Sequence, residues 1–175
     1  IKIRLTMERL KSIEIKLIAA FLLVTGFLGF VALFSTILST DNSIVGILYL
    51  FIAVLFGLTM YSGYLLLKED EKGLEIGRAI IALQILNFDI AGLSYLFTTG
   101  GAVLFGLGNS KIGFDFVIQT GFTINLNDES TNFILRINLL AIGLFVYLSR
   151  TIRKLEDEQE IQEELEKKQS EKVDK

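Results

Sequence analysis

The sequence predicts a membrane all-α protein of four transmembrane helices, with a small extracytoplasmic three-stranded antiparallel β-meander between helices 3 and 4. Two observations predict the helices: 51% of the 175 residues are hydrophobic, and runs without any charged residue cover 17–40 and 42–67. A helix needs about 20 residues to span roughly 30 Å of hydrocarbon, so both runs are long enough. A third observation predicts the sheet, because apolar and polar residues alternate along 102–127.

The composition excludes several classes of function. Histidine, cysteine, tryptophan and proline are all absent. Without His or Cys the chain offers no serine–histidine catalysis, no thiol nucleophile and no ordinary zinc or haem ligand. The net charge is −3, and no basic patch interleaved with aromatic residues indicates nucleic-acid binding. We therefore expect a protein of the lipid bilayer that is not an enzyme and that uses no metal or cofactor.

The first segment, residues 1–16, carries five Lys and Arg residues against two Glu residues. It is predicted to be a basic cytoplasmic flank that orients the first span, or else an interfacial helix on the membrane surface. The sequence does not begin with Met, and Met7 is a natural start, so residues 1–6 are expected to reflect a truncation or a misassigned start codon.

Helices 1 and 2 are predicted over 17–40 and 43–67. The link between them is so short that the two helices must form an antiparallel hairpin. Each predicted helix contains a pair of small residues four positions apart, which allows a neighbouring helix to approach closely. These pairs are Thr25 with Gly29, and Ala53 with Gly57.

Helix 3 is predicted over 78–99, ending at the Gly100–Gly101 pair. The β-cap follows over 101–127, as three strands joined in chain order. Its apolar face is expected to lie on the outer ends of the helices, because a small isolated sheet is only marginally stable. The side chains expected to face the helix ends are those of Phe114, Phe116, Phe122 and Ile124.

Helix 4 is predicted over 131–150 and is followed by a charged cytoplasmic helical tail over 151–175. The predicted inner segments that flank the spans, 1–16, 68–78 and 150–154, hold eleven Lys and Arg residues, whereas the predicted outer segments 39–43 and 100–131 hold one, Lys111. By the positive-inside rule this asymmetry predicts a multi-pass protein of the cell (inner) membrane with both termini in the cytoplasm.

The predicted spans contain one polar cluster. Away from the membrane edges, the predicted spans contain one acidic residue, Asp89, and one basic residue, Arg136. Gln84, Asn87 and Asn138 fall at neighbouring depths of helices 3 and 4. A charge at the centre of a membrane helix costs about 2.5–3.5 kcal/mol on insertion scales, so we expect Asp89 and Arg136 to pair. Three interpretations stay open: a pair that fixes helix register, an Arg136 side chain that snorkels to the outer interface, or a proton relay, ion relay or ligand site.

A resemblance supports the four-span prediction. It is carried by the alternating aromatic strands and by Gln84–Ile85, Phe88, Gly92, Tyr95, Gly101 and Asn138–Leu139. In these features residues 76–148 resemble a group of uncharacterised small four-span bacterial integral membrane proteins. The resemblance implies the architecture and no activity.

The expected function is that of a non-catalytic structural or accessory subunit that binds a membrane-protein partner or a second copy of itself. The alternative is a small transporter or channel subunit that uses the intramembrane cluster.

Overall fold

The computed structural model describes residues 12–37, 43–91, 93–108, 111–126 and 133–173. The described helices are α1 (Ile13–Ile37), α2 (Ser43–Leu67), α3 (Lys72–Leu83) and α4 (Leu139–Val173). The described strands are β1 (Leu86–Ile90), β2 (Leu93–Thr98), β3 (Ala102–Gly108), β4 (Lys111–Val117), β5 (Gly121–Leu126) and β6 (Phe133–Asn138). Most of the predicted basic flank, the link between the first two helices and Gly92 lie outside the described residues.

Helices α1 and α2 form an antiparallel hairpin in which the two backbones touch. A Cβ atom added at Gly63 would lie 2.6 Å from the Ala19 carbonyl oxygen, and one added at Gly29 would overlap the edge of the Phe56 ring. Gly29 was predicted to mediate this approach. Gly57 was predicted to do the same, but a Cβ atom there would meet nothing within 4 Å. The prediction is therefore wrong for Gly57, and Gly63 is the α2 residue at the contact.

Two described helices are long and apolar enough to cross a membrane, over Ile13–Phe34 and Gly46–Leu67. Only 33% and 44% of the residues in the most apolar stretches of these two helices are buried inside the protein. A core helix of a soluble domain would be mostly buried, because its apolar side chains pack on other elements. Most of the apolar surface of this hairpin instead faces outward.

The predicted fold class is wrong, because spans 3 and 4 do not form. The predicted span 78–99 is helical only to Leu83 and then becomes β1 and β2, while the predicted span 131–150 begins as β6. The sequence LNFDI of β1 alternates apolar and polar residues, which is the strand period. A strand places Asn87 and Asp89 on one face, whereas a membrane helix would have distributed them around its circumference.

The six strands form one antiparallel sheet in the order β4-β3-β6-β1-β2-β5. Strands do occur at 102–108, 111–117 and 121–126, but they are not a meander, because β5 pairs with β2 and not with β4. Residues 118–120 join the two edge strands. A flat sheet would separate these strands by about 24 Å, and three linking residues reach only about 14 Å. The sheet is therefore strongly curled.

The strand register gives the sheet one apolar and one polar face. The apolar face carries Leu86, Phe88, Tyr95, Phe97, Phe105, Phe114, Phe116, Phe122 and Leu135. The polar face carries Asn87, Asp89, Ser94, Thr98, Asp115, Arg136 and Asn138, together with the apolar residues Leu96, Leu104 and Ile134. Because side chains alternate along each strand, every strand contributes to both faces.

The apolar face packs on the helices at one side of the sheet only. The Phe97 ring lies 5.8 Å from the Phe56 ring of α2 and 5.9 Å from the Phe122 ring of β5. Phe114 and Phe116 were expected to face the helix ends, but they are 62% and 79% exposed. That prediction is wrong for both residues, because they lie on an edge strand where their side chains stay exposed. The Ile124 side chain lies outside the described residues.

All four described helices contribute to a buried hydrophobic cluster near the start of α1, which is separate from the contacts of Phe97 with Phe56 and Phe122. Its buried members are Ile15, Ala19, Leu22, Leu66, Leu74, Ile81, Ala141, Leu148, Ile152 and Leu155. At its rim the Tyr147 hydroxyl donates a 2.6 Å hydrogen bond to a carboxylate oxygen of Glu14. This cluster fixes α3 and α4 against the hairpin and so holds the sheet in place.

Candidate binding site

The polar face of the sheet contains a hollow of about 600 Å³ over strands β4, β3 and β6. Its lining residues are Leu104, Gly106, Leu107, Gly108, Ile112, Gly113, Asp115, Ile134 and Arg136. Three of these are glycines, and their missing side chains provide the space. On this face the hollow holds the apolar side chains of Leu104 and Ile134, one carboxylate and one guanidinium group.

The two charged groups of the hollow form an ion pair across β3. Arg136 Nε lies 3.5 Å from Asp115 Oδ2, and the two side chains are 36% and 60% exposed. Arg136 lies opposite Gly106 in the register. A Cβ atom at Gly106 would lie 2.7 Å from Arg136 Cγ and 2.4 Å from the Leu135 carbonyl oxygen. The absence of a side chain at Gly106 therefore leaves the space in which the Arg136 side chain crosses β3.

Asp89 and Arg136 were expected to pair. The structure places them on the adjacent strands β1 and β6, and it pairs Arg136 with Asp115 instead. In the β1–β6 register Asn87 lies opposite Arg136, and Asp89 lies opposite Ile134. Asp89 and Arg136 are thus diagonal neighbours on the polar face. The described ion pair of Arg136 is to Asp115. The alternation of side chains along the strand is enough to predict that Asp115 and Phe114 lie on opposite faces. That only β3 separates Asp115 from Arg136 follows from the strand order, which local sequence patterns do not reveal.

Gln84 and Asn87 lie together at the point where α3 becomes β1. The Gln84 amide nitrogen donates to Thr99 Oγ1 at 2.9 Å, and the Thr99 backbone N–H donates to Gln84 Oε1 at 3.1 Å. The Asn87 amide nitrogen donates to the Gln84 carbonyl at 3.3 Å, and its oxygen accepts from the Phe97 backbone N–H at 3.2 Å. Both side chains are buried and satisfy backbone groups, so they fix the change from helix to strand.

Asn138 lies at the matching point where β6 becomes α4. Its side-chain oxygen accepts from the backbone N–H groups of Val103 at 3.3 Å and Ala141 at 3.2 Å. Its own backbone N–H donates to the Ile85 carbonyl at 2.8 Å. The side-chain amide nitrogen is buried and has no hydrogen-bond partner in the described part of the chain. Asn138 is thus the cap of α4 and a bridge to β3, at 1% exposure.

The five residues of the predicted cluster therefore divide into two groups. Gln84, Asn87 and Asn138 hold the strand ends to the helices, whereas Arg136 lines the hollow and Asp89 lies beside it on the polar face. Sequence reasoning missed two further residues of this region, Gly106 and Thr99. The alternation of 102–108 gave a signal for Gly106, because it places this glycine on the same face as Leu104.

The ion pair gives a direct prediction for stability. In a double-mutant cycle of Asp115→Asn and Arg136→Gln, we expect a coupling free energy of at most about 1 kcal/mol, because both groups are more than a third exposed to the hollow. The matched cycle of Asp89→Asn and Arg136→Gln should give a smaller coupling. Thermal unfolding followed by circular dichroism measures both cycles. A larger coupling to Asp89 would show that Arg136 prefers the partner first predicted for it.

Comparison with protein-family models, curated proteins and solved structures finds no match for this chain. The features that bear on function are therefore the exposed apolar surface of the hairpin, the curled sheet and the hollow.

Proposed function

We propose that this is a non-catalytic protein of the inner membrane, anchored by the α1–α2 hairpin, which acts as a structural or accessory subunit and presents its curled sheet to a membrane partner. One observation carries the proposal: large apolar side chains are exposed along both helices of the hairpin. They include Val24, Phe27, Leu28, Phe30, Val31, Phe34, Ile47, Leu50, Phe51, Val54 and Leu58.

An apolar surface of this extent supports contact with lipid. Ile47 is 71% exposed, Leu50 is 67% exposed and Phe34 is 57% exposed. Soluble monomers rarely expose a contiguous apolar patch larger than several hundred Å², because such patches associate in water. Each of the two helices also has the length that a crossing requires.

The distribution of charge supports an orientation. Both ends of the hairpin that carry basic flanks lie on the same side, since α1 and α2 are antiparallel. The flank at 1–16 has five Lys and Arg residues, and the segment 68–78 has three. By the positive-inside rule this side is cytoplasmic, which leaves the link between α1 and α2 outside.

The hollow supports a binding role over a catalytic one. Its carboxylate and its guanidinium group form an ion pair with each other at 3.5 Å, and they are the charged side chains among its lining residues. A partner side chain or a small molecule that enters the hollow would meet apolar walls with one polar contact point, which is the usual composition of a binding pocket.

Leu28→Lys tests the anchor, because the substitution should reduce membrane association if the helix lies in a bilayer and increase solubility if it lies in water. Leu28 is 52% exposed near the middle of the first apolar helix. In a bilayer, the substitution costs about 2.5–3.5 kcal/mol of insertion free energy, so we expect less protein in the carbonate-resistant membrane fraction. In water, replacing an exposed leucine with lysine would instead increase solubility. The control is Ile161→Lys, at a 60% exposed position of α4 outside the hairpin, which should leave the membrane fraction unchanged.

If the wild-type chain is released by carbonate and Leu28→Lys raises the soluble yield, the anchor proposal is wrong.

A further inference from the structure

The sheet lies beside the hairpin and not beyond its end. Gly100, in the link from β2 to β3, has a φ of +83°, and a Cβ atom there would lie 2.5 Å from Thr25 Cγ2 and 2.7 Å from the Phe21 ring. Phe21 and Thr25 are near the middle of the apolar helix Ile13–Phe34. The end of the sheet where β2 stops and β3 starts is therefore level with the middle of the hairpin. If the hairpin crosses the bilayer, as proposed above, the sheet stands at the depth of the outer leaflet.

The apolar face of the sheet has the composition that this depth requires. On β4 its side chains are exposed by 69% at Ile112, 62% at Phe114 and 79% at Phe116. Ile118, just beyond the strand, is 93% exposed. Acyl chains would cover these side chains, in the way that lipid covers the outer apolar band of a membrane β-barrel. The polar groups of the sheet lie on the opposite face.

Lipid covers side chains but leaves the backbone of an edge strand without partners. Open sheet edges do not occur against hydrocarbon, because no water is present to bind the free N–H and C=O groups. The two edges of this sheet differ in that respect. Strand β5 lies against α1, whereas β4 pairs with β3 and, within the described residues, with no strand on its other side.

The geometry points to a second copy of this chain as the partner of that edge: the β4 strands of two protomers pair antiparallel about a twofold axis at Phe114. A closed twofold contact satisfies both free edges at once. With Phe114 opposite its own copy, all seven residues of Lys111–Val117 find partners. The pairing keeps each protomer's apolar side chains on one common face, because residues directly opposite share a face.

The side chains of β4 are self-complementary in this register. Asp115 lies opposite Gly113 of the second copy, and a Cβ atom at Gly113 would meet nothing within 4 Å. Phe116 lies opposite Ile112. A register centred on Asp115 would oppose two carboxylates, which is unfavourable across an antiparallel pair. A register centred on Gly113 would pair only the five residues 111–115 of the strand.

The paired edge would also complete the candidate binding site. Gly113 and Asp115 both line the hollow, and they lie on either side of the twofold axis. The hollows of the two protomers therefore adjoin, with the Asp115 of each next to the Gly113 of the other. A ligand or partner segment would then meet two copies of the Asp115–Arg136 pair in one continuous depression.

Disulfide trapping tests the pairing, because the chain has no cysteine of its own. The variant Phe114→Cys places two cysteines directly opposite each other, whereas Gly113→Cys and Asp115→Cys place like cysteines diagonally, about 7–8 Å apart. A disulfide needs Cβ atoms about 3.5–4.5 Å apart. In oxidised, carbonate-washed membranes we expect Phe114→Cys to give at least about fivefold more covalent dimer than the two neighbouring variants. Leu50→Cys, 67% exposed on α2, reports random collision.

Three outcomes are informative. Phe114→Cys dimers well above the Leu50→Cys background support the pairing and its register. Membrane-bound protein whose Phe114→Cys yield equals that background overturns the pairing and leaves the anchor intact. Protein that carbonate releases from the membrane overturns the anchor, and the pairing falls with it.

A charge placed on the axis gives a second test that does not depend on disulfide chemistry. Phe114→Lys sets two lysines opposite each other, whereas Ile112→Lys, at a similarly exposed position, sets its lysine opposite Phe116. We expect light scattering in mild detergent to show a monomer for Phe114→Lys and a dimer for Ile112→Lys. The same mass for both variants would overturn the pairing.

Discussion

Gly63→Val is expected to separate α1 from α2 and to lower the free energy of unfolding by about 3 kcal/mol or more. A Cβ atom at Gly63 would lie 2.6 Å from the Ala19 carbonyl oxygen and 2.8 Å from the Leu23 backbone nitrogen. Both atoms belong to the backbone of a helix, so no rotamer change relieves the overlap. The helices would have to move apart along the whole contact, which also weakens the cluster where all four helices meet.

Gly57→Val is the matched control on the same helix. A Cβ atom at Gly57 would meet nothing within 4 Å, so the valine gains exposed surface without a clash. Valine is also a better helix former than glycine by a few tenths of a kcal/mol. We expect the control to unfold within about 1 kcal/mol of wild type in detergent, as followed by circular dichroism. Equal destabilisation by both substitutions would mean that α1 and α2 do not touch at Gly63.

Asn138→Ala is expected to have the second largest effect, lowering the free energy of unfolding by about 2–3 kcal/mol. The Asn138 side-chain oxygen accepts hydrogen bonds from two backbone N–H groups, those of Val103 and Ala141. Alanine removes this shared acceptor and leaves the two donors unpaired at a buried junction. The same substitution also removes the cap of α4.

Asn138→Asp separates the role of the oxygen from the role of the amide. Aspartate keeps the acceptor and removes a buried nitrogen that has no described partner. Its charge also lies at the N-terminus of α4, where the helix dipole favours an anion. We therefore expect thermal unfolding to rank wild type and Asn138→Asp close together, with Asn138→Ala well below both. If Asn138→Asp is as unstable as Asn138→Ala, hydrogen-bond acceptance is not what Asn138 contributes.

Local patterns determined the helical hairpin. Span length is a property of consecutive residues, so the uncharged runs at 17–40 and 42–67 were enough to predict two long apolar helices. Alternation is equally local, and along 102–127 it indicated three strands, which the structure places at 102–108, 111–117 and 121–126. The same signal was present at 86–90 and at 133–138. There it was overridden by the apolar content that suggested spans 3 and 4.

The tertiary structure decided the rest, because pairing is a relation between distant segments. Strand β1 pairs with β6 and β2, and strand β6 pairs with β1 and β3. These pairings stabilise both segments as strands, and a separate helix in lipid would have none of them. The partner of Arg136 depends on which strand lies beyond β3, and strand order has no signature in the residues themselves. The hairpin and the polarity of the faces of β3, β4 and β5 can therefore be predicted from the sequence, since both follow from neighbouring residues. Only the folded chain decided the six-stranded order, the hollow and the free edge of β4, since these depend on which distant segments meet.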